Sequence, residues 1–135
     1  MKNLVIIDNR ETNSAEVINE FGLVYGASLA VNGQLIIEKQ LKILVNLFTK
    51  VKIILVSHQT DSHTLIQQKI IDKFKIEIQR SSLKFGNYKN IKLGINDSFE
   101  KLFILNSKNL VTKFPKNNSY IYAKTYEHAI KRNNL

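Results

Sequence analysis

Hydrophobic positions in this chain form two kinds of pattern, and the two alternate. Leu4-Val5-Ile6-Ile7 and Val51-Lys52-Ile53-Ile54-Leu55-Val56 are compact apolar runs, as expected of strands buried on both faces of a sheet. Between them Ile37, Leu41, Leu44, Val45 and Phe48 recur at helical spacing, with Glu38, Lys39, Lys42, Asn46 and Lys50 largely opposite. Asn32-Gly33 ahead of that stripe has two readings. It suits a type I′ hairpin between Leu29-Ala30-Val31 and Leu35-Ile36-Ile37, or a turn opening a helix from about Gln34. The strength of the stripe favours the helix-opening turn.

The remaining elements follow by the same logic. Asn13 to Phe21 is predicted as a short helix, with Asn13 as its cap, Glu16 as the capping-box partner and Gly22 as its left-handed stop. Leu23-Val24-Tyr25 suits a short strand. Gly26-Ala27-Ser28 is small enough for close approach of a backbone or a ligand, but lacks the spacing and the Lys of a phosphate loop. Thr60 or Asp61 caps a helix running to Phe74, striped by Leu65, Ile66, Ile70, Ile71 and Phe74. Lys75 to Arg80 alternates with period two and predicts a third strand near a sheet edge.

Residues 81–96 are irregular. Phe85 and Tyr88 there, among Lys84, Lys89 and Lys92, suit either base stacking or anchoring of the loop, the commoner use of two aromatics. A turn at Asp97 to Glu100 leads into a fourth strand from Lys101 to Leu105. Tyr120-Ile121-Tyr122 suits an antiparallel edge strand, and Thr125 caps a last helix to about Arg132. The whole is one domain over residues 1–135. Its expected fold is an α/β three-layer sandwich around an open, mainly parallel, Rossmann-like sheet.

Composition changes this picture little. At 135 residues, 44% apolar and 23% charged, the chain is an ordinary globular domain. It has no apolar stretch long enough to span a bilayer, and Leu4 to Ile7 is too short for a signal-peptide core, so the expectation is a cytoplasmic protein without membrane contact. With no Cys, disulfides and thiolate chemistry are excluded. The net charge of +9 is uneven: residues 1–33 carry two basic against four acidic groups, the remainder 18 against 7. The basic residues are spread without a long run, which suits a solvated surface better than a nucleic-acid patch.

Candidate chemistry sits where the strands end, because parallel α/β sheets bind ligands outside the carboxyl ends of their strands. The candidates are Asp8, Asn9, Arg10, Ser57, His58, Arg80, Ser81, Asn106 and Lys108. Arg10 and Lys108 suit phosphate, and Asp8 or His58 could act as acid or base. His58, Asp61 and His63 do not have the spacing of a metal site on one helical face, so no metal site is expected.

Val31-Asn32-Gly33-Gln34-Leu35-Ile36-Ile37-Glu38-Lys39-Gln40-Leu41-Lys42-Ile43-Leu44, followed by the strand from Val51 to Val56, resembles the nucleotidyltransferase superfamily that makes sugar nucleotides. That family has a segment of the form V-x-G-K-P-L-I-x-x-Q-L-x-x-L and then a strand. The resemblance covers about residues 31–108 and implies a nucleotide, sugar nucleotide or sugar phosphate as ligand. The departures are chemical. The family's glycine-rich phosphate loop is replaced by Asp8-Asn9-Arg10-Glu11, its Pro-Lys pair is missing, and its metal-binding Asp falls at Lys108. A Lys cannot ligate Mg²⁺. The resemblance therefore implies a degenerate, shortened relative without the usual Mg²⁺-dependent catalysis. Two other readings stand beside it: a basic nucleic-acid-binding domain, and a non-catalytic subunit or homodimer pairing through Tyr120 to Tyr122.

Overall fold

The computed structural model describes residues 3–22, 25–28, 30–60, 68–92 and 101–114. The two apolar runs become the central strands. These are β1 (Asn3–Asn9) and β4 (Val51–His58), flanked by β5 (Glu77–Ser81) and β6 (Lys101–Asn106) in the order β5-β4-β1-β6. Every pairing is parallel, with Ile6 opposite both Ile54 and Ile104. The chain is thus an α/β protein on a parallel four-stranded sheet, as its hydrophobic pattern predicts.

Alternation along each strand sends successive side chains to opposite faces. Val5, Ile7, Ile53, Leu55, Phe103 and Leu105 pack against Ile37, Leu41 and Leu44 of α2 (Ile36–Leu47) and Ile70 of α3 (Gln68–Phe74). Leu4, Ile6, Ile54, Val56 and Leu102 pack instead against Tyr88 and Ile91 of the connection after β5. Both helical crossovers step the same way across the sheet, and right-handed connections then place both helices on one face. The described part of the connection after β5, residues 82–92, lies on the other, where Tyr88 and Ile91 pack. Among the described residues the second face is covered by this irregular connection, not by a helical layer.

Several boundaries differ from expectation, each for a local reason. Asn32 (φ 53°) and Gly33 (φ 76°) form a two-residue hairpin turn between β2 (Ala30–Val31) and β3 (Gln34–Leu35). The hairpin and the helix both exist: α2 starts directly after the hairpin at Ile36, two residues later than predicted. Helix α1 (Ala15–Phe21) is capped by Ser14, whose hydroxyl accepts from Val17 N, while Asn13 is buried ahead of it. Gly22 (φ 68°) closes the helix as expected.

The third strand begins at Glu77, not Lys75, because Lys75 (φ 52°) is spent on ending α3 in a left-handed turn. Ile76 N donates to Ile71 O at 3.3 Å to complete that turn. Tyr25 makes a bridge to Thr12, while the rest of the predicted strand at residues 23–24 lies outside the described residues, as do residues 97–100, 120–122 and 125–132.

A side chain at Lys75 opposes the left-handed conformation that its position requires. Lys75→Gly is expected to raise stability by about 0.5–1 kcal/mol, measured as a higher urea midpoint at unchanged slope.

Candidate functional site

Parallel pairing brings every strand's carboxyl end to one edge of the sheet, and the register aligns the predicted residues in two rows. Asn9 lies opposite Ser57, and Ser57 opposite Arg80, a row on the helix side of the pleat. Asp8 lies opposite Asn106, and His58 opposite Ser81, a row on the other side.

Asp8 and Arg10 are consumed by each other. Their side chains form a fully buried ion pair, with Nη2 to Oδ2 and Nε to Oδ1 both 2.8 Å. Asp8 Oδ1 also accepts from Arg10 N at 3.2 Å, and Oδ2 from Gly86 N at 3.1 Å. Four hydrogen bonds fill the lone-pair sites of this carboxylate, so it has none left for a substrate proton. Arg10 Nη1 further donates to Leu83 O at 3.1 Å and Ser81 Oγ at 3.4 Å, and the guanidinium lies 5.3 Å over the Tyr88 ring. In this arrangement Arg10, Asp8 and Ser81 tie the connection after β5 to the end of β1.

Asn9 closes the other side. Its Oδ1 accepts from Ala27 N at 2.9 Å and Ser107 Oγ at 2.7 Å, joining β1 to the short 3₁₀ turn Gly26–Ser28 and to the turn after β6. Gly26 is wedged there so tightly that an added Cβ would stand 2.7 Å from Lys108 N. The small Gly26-Ala27-Ser28 segment does permit close approach, and what approaches is the chain's own backbone.

The residues left facing outward are fewer. Lys108, half-buried, lies 3.6 Å from Glu11 Oε1 and donates to Thr12 O at 3.1 Å; Asn106 Nδ2 donates to Glu11 as well. Arg80 is exposed and donates to Gln59 O at 3.2 Å. His58 stacks on Tyr25, with ring centroids 6.2 Å apart and planes 14° apart. Thr60 N donates to His58 Nδ1 at 3.2 Å, so the neutral ring holds its proton on Nε2 and presents a donor there. Ser57 is fully buried, and its hydroxyl has no hydrogen-bond partner among the described residues.

Tyr25, Ala27, Ser107 and Tyr88 belong to this edge and were not among the expected site residues. Ser107 had a readable signal: it continues the alternation of Phe103 and Leu105 and so shares a face with Asn9. Tyr25 had none, because its place depends on the bridge to Thr12. The carboxylates at this edge do not suit a divalent cation, since Asp8 is saturated by Arg10 and Gly86 and Glu11 is held by Lys108 and Asn106. Among the described residues no three His, Asp or Glu side chains converge, and no helix is long and apolar enough to cross a membrane.

A cavity of about 590 Å³ lies at the opposite edge of the sheet, by the start of β6, among Phe48, Phe103 and Phe114. Its aromatic rings pack on one another at 5.2–5.5 Å. It contains none of the predicted site residues.

Comparison of the chain with protein-family models, with curated proteins and with solved structures returns no match.

Two outcomes test this division between scaffold and outward-facing groups. Arg10→Met leaves the Asp8 carboxylate buried without its counter-charge and is expected to cost about 3–5 kcal/mol, read from urea denaturation. Ser57→Ala removes a buried hydroxyl that has no partner among the described residues, and is expected to leave stability unchanged or raise it by up to about 1 kcal/mol. A clear fall in melting temperature would show that Ser57 is hydrogen-bonded.

Proposed function

We propose that the carboxyl edge of the sheet binds a phosphorylated small molecule, namely a nucleotide, sugar nucleotide or sugar phosphate, in a relative of the sugar-nucleotide nucleotidyltransferases that lacks their metal-dependent chemistry. The observation that carries the reading is the strand order. In β5-β4-β1-β6 the chain runs outward from β1 through β4 to β5 and then returns to the far side of β1. The crevice at such a reversal, outside the carboxyl ends of β1 and β6, is where open parallel sheets take their ligands.

Lys108 stands in the turn directly after β6, and the loose ion pair that holds it is weak. A part-exposed pair of this kind contributes about 0–1 kcal/mol, so a phosphate can displace Glu11 at little cost. Arg80 and the His58 Nε2–H supply further donors along the edge, while Asn106 and Ser81 lie beside them and Ser57 is buried beneath. In this reading Asp8, Asn9 and Arg10 shape the crevice from beneath, and Lys108 replaces Arg10 as the principal phosphate contact.

A thermal-shift panel of nucleotides, sugar nucleotides and sugar phosphates at low millimolar concentration tests the proposal. At least one class is expected to raise the melting temperature, and Lys108→Ala to remove most of that rise while leaving the unliganded melting temperature nearly unchanged. Absence of any response, together with elution from heparin only at high salt, would favour nucleic-acid binding instead. An undiminished response in Lys108→Ala would move the site away from the β1–β6 crevice.

A further inference from the structure

The turn at Lys84–Asn87 treats the two aromatic residues of its loop in opposite ways. Tyr88 is 2% exposed and lies beneath the Arg10 guanidinium, whereas Phe85 is 40% exposed. Phe85 is nevertheless held in place on both sides. Ahead of it, Leu83 O accepts from Arg10 Nη1 at 3.1 Å, and Leu83 N donates to Ser81 Oγ at 3.1 Å. After it, Gly86 N donates to Asp8 Oδ2 at 3.1 Å. Asn87 N donates to Lys84 O at 3.0 Å and Gly86 has φ 89°, the geometry of a type II turn with Phe85 at its first central position.

At this turn apex the buried ion pair fixes the backbone on either side of Phe85, while its phenyl ring stays 40% exposed and forgoes part of the burial such a ring normally gains. An exposed ring carried on a held backbone offers a stacking surface, because only its two side-chain torsions need ordering when a flat partner arrives. Phosphate-compatible charge lies alongside: Lys84 in the same turn and Lys89 just after it are both exposed. The bond from Gly86 to Asp8 places this turn at the end of β1, on the edge assigned to the ligand.

We propose that Phe85 is the platform on which a nucleobase stacks, so that the ligand of the carboxyl edge is a nucleoside phosphate and not a bare sugar phosphate. This rests on the preceding assignment of the carboxyl edge as a phosphate-ligand site. Stacking suits any base, since every base has a π-face, and it predicts class selectivity without strong preference among bases.

Isothermal titration calorimetry with UMP, AMP and a UDP-sugar, against glucose 1-phosphate and inorganic phosphate, tests it on the full chain. The nucleotides are expected to bind more tightly than glucose 1-phosphate. Phe85→Ala should weaken the nucleotides by about 10- to 100-fold and leave glucose 1-phosphate unchanged. Phe85→Trp should keep nucleotide affinity and show fluorescence quenching on binding, and because the side chain is exposed both variants should melt with the wild type. If glucose 1-phosphate binds as tightly as the nucleotides and Phe85→Ala alters neither, the stacking role is overturned while the edge assignment stands. If none of the probes binds, the edge assignment falls and the stacking role with it. Binding confined to single-stranded oligonucleotides, with a steep salt dependence, would also overturn the proposal.

Discussion

The buried pair between Asp8 and Arg10 is the interaction on which the carboxyl edge depends. Taking a carboxylate and a guanidinium out of water is costly, and the cost is offset only where geometry and additional hydrogen bonds are both good. Here the pair is bidentate, and Gly86, Leu83 and Ser81 supply the additional contacts. All three lie on β5 or the connection after it, some seventy residues downstream, so satisfying the charges of β1 also positions that connection. Tyr88 then slots beneath the guanidinium and completes the core on the second face of the sheet. An electrostatic requirement at the end of one strand thereby decides what covers Leu4, Ile6, Ile54 and Val56.

Asn9 does comparable work on the opposite face with a neutral side chain. One amide oxygen joins the Gly26–Ser28 turn to Ser107, and the close contact of Gly26 with the backbone of Lys108 leaves no room for a side chain. The result is a β1 terminus tied on both faces of the sheet to segments distant in the chain. Residues that look most reactive in isolation, Asp8 and Arg10, are structural, because their hydrogen-bonding capacity is taken up inside the fold. Lys108 and His58 have weaker internal ties and remain partly exposed at the edge.

Much of the architecture was written locally. Continuous apolar runs mark β1 and β4 as central, since only a strand covered on both faces needs apolar residues at successive positions. The stripe of Ile37, Leu41 and Leu44 marks the covering helix, and the alternation after α3 marks an edge strand. These signals are local and periodic, and so are the turn chemistries of Asn32-Gly33 and Gly22. The hairpin and the helix at residues 30–47 compete in the sequence because both explain the same Leu35-Ile36-Ile37; a two-residue strand is too short to have a period of its own. Lys75 departs from the alternating pattern for a related reason, since a period of two carries no sign that one residue is left-handed.

Local pattern accounts, then, for the central strands, their covering helix, the buried faces of both, and the gathering of polar residues where strands end. Which of those polar residues meet follows from the assembled fold. The β5-β4-β1-β6 order pairs Arg10 with Ser81 and Leu83, Asn9 with Ser107, and Tyr25 with His58, contacts between segments far apart in the chain. No local pattern encodes them, because hydrogen bonds and ion pairs depend on distances of about 3 Å that exist only once the strands are in register.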